Sequence, residues 1–163
     1  MSMSKNAEPR IVQRGAFQVV GTPLFGNPRE RAFCAAWGLF GQIADETSWL
    51  RRKRKLSGLQ IYPPKYPDPF EFTYIAGVEV SADTETPLRC VRKELPPARY
   101  AVFQVKGGPK GIDDVYRYAY RDWLPTSAYV QAFPYDFEEY DKPTSPEADP
   151  SQISIWIPIR RKK

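Results

Sequence analysis

The feature that most constrains the fold is an internal repeat. The segment AFQVVG at residues 16–21 recurs 86 residues later as VFQVKG at residues 102–107. Both runs are rich in aromatic and β-branched residues that alternate with other residues, a pattern typical of strands. The chain has 163 residues, which is the size of one domain. The repeat therefore predicts a single domain built from two similar halves.

Each repeat is followed by a pattern typical of an amphipathic helix. In the first half, Asn27 suits the N-cap, Pro28 the first helical position and Glu30 a capping box. In the second half, Asp113–Asp114 favours a helix start and Pro125 predicts its end. Apolar residues recur at helical spacing in both segments, namely Phe33, Ala36, Trp37, Phe40, Ile43 and Ala44, then Ile112, Val115, Tyr116, Ala119 and Trp123.

Two strands and a proline-rich turn follow each predicted helix. In the first half these are a short strand at 59–62 and a longer one at 72–80, and in the second half 137–140 and 152–159. The predicted fold class is α+β, with two tandem pseudo-symmetric βαββ units. We expect an antiparallel or mixed sheet with both helices on one face and a central ligand groove.

The predicted strands and helices divide the chain into one domain and two tails. Residues 1–10 are expected to form a flexible N-terminal tail and residues 161–163 a basic C-terminal tail. The single domain at 11–160 then contains one βαββ unit at 11–80 and a second at 89–159.

Strand alternation predicts which side chains face the helices. Aligning the two repeats places on the helix side Phe17, Val19, Leu59, Ile61, Phe103, Val105, Ile155 and Ile157. Alternation then sends to the other, uncovered face Gln60, Tyr62, Glu138, Tyr140 and Trp156. Aromatic rings around one carboxylate are an unusual lining for a solvated surface, so this face predicts an interaction site.

The absence of histidine excludes several kinds of active site. Without imidazole the chain has no Ser-His-Asp triad, no Cys-His dyad and no histidine-ligated zinc. Cys34 and Cys90 are isolated in sequence and do not form a thiolate metal motif. We therefore assign no metal ligand, no cofactor and no catalytic residue. Any catalysis would depend on carboxylates, tyrosines or lysines.

The positive net charge of +5 is concentrated in two runs. Residues 51–55 and 160–163 hold nine of the 24 basic residues, which leaves 15 against 19 acidic residues elsewhere. The run at 51–55 predicts a solvated loop, with contact to phosphate or to an acidic protein partner as the alternative. No apolar run approaches the length of a membrane span and no secretory signal is visible, so we expect a cytoplasmic protein.

Five segments in order resemble a known family. They are EPRIVQRGAFQVVG at 8–21, YAVFQVKGGP at 100–109, YAYRDWLPTSAY at 118–129, FEEY at 137–140 and ISIWIPI at 153–159. Together they resemble the GyrI-like small-molecule-binding domain, which also serves as the effector-binding half of AraC-type and MerR-type multidrug regulators. The resemblance implies a groove between two βαββ units that takes up lipophilic, often cationic, aromatic molecules.

The resemblance also implies site residues. In the family a glutamate of the F-E-x-Y strand counters the ligand charge, and this position falls on Glu138, with Glu139 as the alternative on the opposite strand face. Gln60 occupies the matching place in the first half. The other predicted ligand-binding residues are aromatic: Tyr62, Tyr140 and Trp156 on strands, and Trp37 and Tyr120, one on each helix.

The sequence favours one function and leaves two alternatives open. The main prediction is a stand-alone binding module for hydrophobic, cationic aromatic molecules, acting as a sensor or by sequestration, with no nucleic acid or membrane as partner. The segment before Ile11 is a short polar tail without a helix-turn-helix, and the run at 51–55 also departs from the family. One alternative is a hydrolase that uses a groove glutamate. The other is a gyrase-modulating interaction with a protein partner.

Overall fold

A computed structural model describes residues 8–28, 32–53, 55–141 and 152–163 of the chain. The strands are β1 (Arg10–Arg14), β2 (Phe17–Gly26), β3 (Lys55–Ile61), β4 (Phe72–Val80), β5 (Val91–Leu95), β6 (Ala98–Val105), β7 (Tyr129–Gln131), β8 (Tyr135–Asp141) and β9 (Ile153–Arg161). The α-helices are α1 (Ala32–Glu46), α2 (Ser48–Arg51), α3 (Ile112–Arg117) and α4 (Leu124–Thr126). A π-helical stretch, Tyr118–Trp123, joins α3 to α4 without a break.

The strands form one antiparallel sheet in which three strands of each half lie together, while β1 and β5 each lie beside strands of the other half. The order is β1-β6-β9-β8-β3-β4-β2-β5, and β7 pairs with β9. Strands β2, β3 and β4 of the first half lie together, as do β6, β8 and β9 of the second half. The halves meet at the central β3–β8 pair, in register from Lys55 with Asp141 to Ile61 with Tyr135. The predicted fold class is confirmed.

Both helical segments pack on the same face of this sheet. Helix α1 covers β2 and β4, where Ala36, Phe40 and Ile43 join a buried cluster with Val20 and Val78. The segment from α3 to α4 covers β6 and β9, and its buried partners there are Phe103, Val105, Ile153, Ile155 and Ile157. The center of the sheet, at β3 and β8, therefore lies between the two helical segments.

The opposite face is buried because the sheet curls on itself. Strands β1 and β2 belong to opposite ends of the sheet, yet only Gly15 and Ala16 separate them. Three residue steps span at most about 11 Å, so the two ends of the sheet must approach each other. Inside the curl lies a second apolar cluster, with Leu59, Ile75, Tyr100, Phe137 and others. The prediction of an uncovered sheet face is wrong for this reason.

The assignment of strand faces is also wrong for part of the chain. Phe103 and Val105 do face the helices, but Phe17 and Val19 lie in the cluster inside the curl, as does Leu59. On β2 the even-numbered side chains face the helices, since the Thr22 hydroxyl donates to the carbonyl oxygen of Ala36 in α1. On β6 the odd-numbered Phe103 and Val105 do so. Matching Phe17 to Phe103 therefore aligns opposite faces of the two strands.

The remaining boundaries differ in detail from the predictions. Helix α1 is described from Ala32 onward, and Glu30 lies outside the described residues. Arg10 begins β1, and β9 continues to Arg161. Lys162 donates from Nζ to the carbonyl oxygen of Ser127 at 2.7 Å, so the predicted C-terminal tail is bound to the body of the protein. None of the described helices has the length and apolar character needed to cross a membrane.

Candidate functional site

The candidate site is built around two buried carboxylates on β8, Asp136 and Glu138, here called the acid pair. They lie two residues apart on one strand, so their side chains point to the same sheet face, which is the face between the helices. Asp136 is 0% exposed and Glu138 6%. Among the described residues no lysine or arginine forms an ion pair with either of them. Buried charge without a cationic partner is costly, which marks this place as unusual.

Tyrosines satisfy Asp136. The Tyr120 hydroxyl, from the π-helical stretch, donates to Asp136 Oδ2 at 2.6 Å. The Tyr62 hydroxyl, at the end of β3, donates to the same oxygen at 2.7 Å. Tyr62 in turn packs against Tyr66 with ring centroids 4.6 Å apart. Asp136 therefore has two neutral donors and an aromatic wall of its own.

Glu138 has a separate set of partners. The Tyr140 hydroxyl donates to Glu138 Oε2, and the Tyr74 hydroxyl on β4 lies 3.5 Å from that oxygen. Trp37 of α1 donates from Nε1 to the Tyr74 hydroxyl at 2.8 Å and packs edge-on against Tyr140 at 5.8 Å. Helix α1 and strands β4 and β8 therefore supply the aromatic wall at this end.

Tyr116 of α3 connects the two acids. Its hydroxyl lies 3.3 Å from Asp136 Oδ1 and 3.3 Å from Glu138 Oε1. Gln60 Nε2 donates to that hydroxyl at 2.6 Å and to Glu138 Oε1 at 3.0 Å. Because one hydroxyl carries one proton, Tyr116 can donate to only one acid at a time. The five tyrosines that contact the acid pair, here called the tyrosine shell, are Tyr62, Tyr74, Tyr116, Tyr120 and Tyr140.

Burial dominates the electrostatics of the acid pair. It raises the pKa of Asp136 to about 6, although hydrogen bonds from Tyr120, Tyr62 and Tyr116 act in the opposite direction. Burial likewise raises the pKa of Glu138 to about 7, against the hydrogen bond from Tyr140 and with a further upward contribution from the charge of Asp136. Desolvation disfavours the ionised form of a carboxyl group, so both acids hold their protons more tightly than in water.

The tyrosine shell stays in its neutral, donating form. Burial is the largest cause that raises the pKa of Tyr62, Tyr74, Tyr116, Tyr120 and Tyr140 above the ordinary value. Two chemical abilities follow. Ionised acids could provide counter-charge to a cation, and a carboxyl group with a pKa of about 7 could act as a general acid or base. The described residues contain no group of histidine, cysteine, aspartate or glutamate side chains suited to a metal ion.

The structure brings six of the seven predicted ligand-binding residues together. Glu138, Tyr140, Gln60 and Trp37 lie at one end of the site, while Tyr62 and Tyr120 lie at the other. The predicted sheet face for Gln60, Tyr62, Glu138 and Tyr140 is wrong, since these side chains point toward the helices. These side chains are buried or half-buried because they lie between the two helical segments.

Trp156 is the residue that the structure does not bring to the site. It stacks on Phe137 at 5.5 Å and contacts Tyr100 at 5.7 Å, inside the curl of the sheet. In the register of β8 and β9, Trp156 pairs with Phe137, whereas Glu138 pairs with Ile155. Alternation therefore places Trp156 and Glu138 on opposite faces.

Three residues of the site were missed in the sequence. Asp136 directly precedes the FEEY segment, and its spacing of two residues from Glu138 places both side chains on one strand face. Tyr116 was assigned to the apolar stripe of the second helix, where its ring does lie. Tyr74 stands in the middle of an apolar strand and carries no sequence signal of its own. The alternation of Asp136, Glu138 and Tyr140 was the one available clue.

Comparisons with known proteins identify the family of the chain. A family model described as GyrI-like small molecule binding domain matches residues 7–160. The transcriptional regulator BrlR of Pseudomonas aeruginosa is 31% identical over 156 residues, which cover 95% of this chain and 56% of BrlR. The chain therefore spans little more than half the length of that relative.

Two solved structures are similar in fold. SAV2435, solved bound to tetraphenylphosphonium, superposes with a TM-score of 0.71 at 18% identity, over 94% of each chain. The C-terminal domain of EcmrR superposes with a TM-score of 0.67 at 12% identity, over 95% of this chain and 98% of that domain. At these identities the likeness extends to the fold alone.

Proposed function

The chain belongs to the GyrI-like small-molecule-binding domain family, and on that premise we propose that it binds lipophilic cationic aromatic molecules between its two helical segments. In this proposal Glu138 supplies the counter-charge and the surrounding rings supply the contact surface. The observation that carries the proposal is a carboxylate that is 6% exposed and has no cationic partner among the described residues.

The charge of the site favours a cationic ligand. Five neutral hydroxyls and one amide surround the acid pair, so its negative charge is solvated by dipoles but not neutralised. A bound cation would offset the cost of ionising Glu138 in a buried place. An anionic ligand would add to that cost.

The lining of the site favours an aromatic ligand. The Tyr140 hydroxyl donates to Glu138, and the Trp37 ring packs against Tyr140. A cation held over such ring faces gains roughly 0.5–2 kcal/mol in addition to its attraction to the carboxylate. The fold relative SAV2435 was solved with tetraphenylphosphonium, a cation surrounded by phenyl rings, which makes this compound a suitable probe.

Entry of a ligand requires side chains to move. Gln60, Asp136 and Glu138 are all buried, so a molecule that contacts Glu138 has to displace some of the side chains that cover it. Tyr116 and Tyr120 are the members of the tyrosine shell carried by the segment from α3 to the π-helical stretch. Displacing their hydroxyls would free the acids to meet the ligand.

The test is a titration of Glu138→Gln with a charged and an uncharged ligand. We expect this change to weaken the binding of tetraphenylphosphonium by about 1.5–3 kcal/mol, because opposite charges about 6 Å apart attract each other by about 3 kcal/mol at an effective dielectric constant of about 20. Triphenylphosphine oxide is neutral and keeps three of the four rings, and its binding free energy should change much less in the variant. Calorimetry at pH 8 measures both affinities, and an initial thermal-shift screen finds the working concentration, since ligand at 100 times its dissociation constant adds about 2.7 kcal/mol of stability.

The matched control is Glu139→Gln. Glu139 is the next residue on the same strand, but its carboxylate lies 3.5 Å from Lys55 Nζ and is partly exposed. This variant should bind both ligands like the natural protein. Equal losses for the charged and the neutral ligand in Glu138→Gln, or a larger loss in Glu139→Gln, would contradict the proposal.

A further inference from the structure

The acid pair holds two potential negative charges, and a ligand with a single positive charge offsets only one of them. We propose that the site accepts aromatic dications, with Glu138 and Asp136 each holding one of the two positive charges. This inference rests on the proposed function of the same site and assigns to Asp136 a specificity role that is separate from that of Glu138.

The two acids have separate surroundings, as two subsites would require. Tyr62 and Tyr120 donate to Asp136 and do not contact Glu138. Tyr140 donates to Glu138 and not to Asp136. Each acid also has its own aromatic wall, with Tyr66 beside Tyr62 at one end and Trp37 beside Tyr140 at the other. Among the described residues, Tyr116 alone hydrogen-bonds to both acids, while Gln60 accepts from Tyr62 and donates to Glu138.

The spacing of the acids limits the size of the dication. Their nearest oxygens each lie 3.3 Å from the Tyr116 hydroxyl, so these oxygens are separated by no more than twice that distance. Residues two apart on a strand are also separated by about 7 Å. A rigid frame of two aromatic rings with a positive nitrogen at each far end matches this separation, and it loses less conformational freedom on binding than a flexible diamine does.

The protonation of the free site supports the same conclusion. Burial raises the pKa of both acids, to about 6 for Asp136 and about 7 for Glu138. A single cation favours ionisation of the acid it touches, and the other acid can remain protonated. A dication favours ionisation of both, because each charge then has an opposite charge beside it.

The experiment compares two probes of nearly equal shape. These are 1,1′-dimethyl-4,4′-bipyridinium, a dication, and 1-methyl-4-phenylpyridinium, which has one charge. At pH 8 we expect the full chain to bind the dication at least tenfold more tightly. Asp136→Asn should lower the affinity for the dication by roughly ten- to a hundredfold, because it removes one of the two opposite charges that the dication would meet. The affinity of the same variant for the monocation should fall by less than about threefold.

Asp141→Asn is the matched control, since Asp141 ends the same strand and lies an odd number of residues from Asp136, on the other face. A second measurement needs no variant. Calorimetry of the natural chain at pH 6.5, in buffers of different ionisation enthalpy, counts released protons, and the dication should release more than the monocation. This readout keeps the inference testable if Asp136→Asn does not fold.

Two failures are distinguishable. If the dication binds no more tightly than the monocation, or if it releases no more protons, the inference about Asp136 is overturned even when tetraphenylphosphonium binds through Glu138. If neither tetraphenylphosphonium nor either pyridinium probe binds, the proposed function itself is overturned.

Discussion

Glu138 illustrates how burial and hydrogen bonding compete at a single residue. Tyr140, Tyr116 and Tyr74 all direct hydroxyls toward its carboxylate, and such donors stabilise the ionised form. Burial nevertheless outweighs them, so the pKa of Glu138 is raised to about 7 from an ordinary value of 4.5. In the free site, Glu138 therefore keeps its proton up to a pH of about 7. A cation can take the place of that proton.

This raised pKa predicts how stability depends on pH. Because the folded protein holds the Glu138 proton more tightly than the unfolded chain does, the free energy of unfolding should fall as the pH rises from about 4.5 to about 7. Glu138→Gln has no proton to lose there, so its stability should fall less over this range. At pH 8 the variant should be more stable than the natural protein, by up to about 3 kcal/mol. Urea unfolding at a series of pH values measures the difference.

Glu139→Gln again serves as the control for this measurement. Glu139 pairs with Lys55 at the surface, so its removal should leave the shape of the pH curve unchanged. If the natural protein and Glu138→Gln gave parallel curves between pH 4.5 and 8, Glu138 would not be a buried carboxyl group with a raised pKa.

At the scale of elements, the sequence predicted the strands and helices better than their faces. The order of strand, helix, strand and strand in each half is present, because alternation and helical periodicity are local properties that the sequence shows directly. The relation between the halves is a long-range property. Matching Phe17 to Phe103 by letter shifted one half by an odd number of residues, and such a shift exchanges the two faces of a strand.

The same reasoning shows why part of the site could be predicted. Four of the predicted residues do lie on one face of the paired strands β3 and β8, because alternation along each strand keeps them together whichever face that is. They are Gln60, Tyr62, Glu138 and Tyr140. Trp156 does lie on the face away from the helices, as predicted, and it is separated from the other four residues because those face the helices. Tyr116 and Tyr74 reach the acid pair from other elements, and neither periodicity nor composition reports contacts between elements.

The close approach of β2 and β4 gives a prediction at this scale. Gly21 and Gly77 are paired across these strands, and a Cβ at Gly77 would lie 2.3 Å from the carbonyl oxygen of Val20. Gly77→Ala should therefore force the strands apart and lower the free energy of unfolding by about 1–3 kcal/mol. Chemical denaturation provides the measurement.

Gly41→Ala is the contrasting variant. Gly41 lies inside α1, and a Cβ there would meet nothing within 4 Å. Alanine is the better helix former, so this change should stabilise the protein by about 0.5–1 kcal/mol. Opposite signs for the two glycine variants are expected. A harmless Gly77→Ala would show that β2 and β4 can separate without cost.

For the whole molecule, the curl of the sheet separates two kinds of interior. Inside the curl, rings and aliphatic side chains such as Tyr100, Phe137 and Leu59 pack together, whereas the buried carboxyl groups of the described residues, Asp136 and Glu138, lie on the other face. Between the helical segments, the acid pair is surrounded by hydroxyls. The curl depends on two-residue links, such as Gly15–Ala16, that join strands at opposite ends of the sheet. The effect of these links on the shape of the sheet follows only from the strand order.

This separation predicts that two tryptophans on opposite sheet faces behave differently. Trp156 packs on Phe137 and Tyr100 inside the curl, whereas Trp37 binds the Tyr74 hydroxyl and contacts Tyr140 at the site. Trp156→Ala should lower the free energy of unfolding by about 2–4 kcal/mol, since Trp156 is only partly buried and fully buried rings approach the top of the usual range. It should leave the affinity of the folded protein for tetraphenylphosphonium unchanged.

Trp37→Ala should instead weaken tetraphenylphosphonium, because it removes a ring beside Glu138 and the donor that positions Tyr74. Loss of the cation–ring contact alone corresponds to roughly 0.5–2 kcal/mol. Calorimetry well below the unfolding temperature of each variant separates affinity from stability. If Trp156→Ala weakened the ligand as much as Trp37→Ala did, the ligand would have to reach inside the curl, and the division of the molecule into a packed face and a binding face would be wrong.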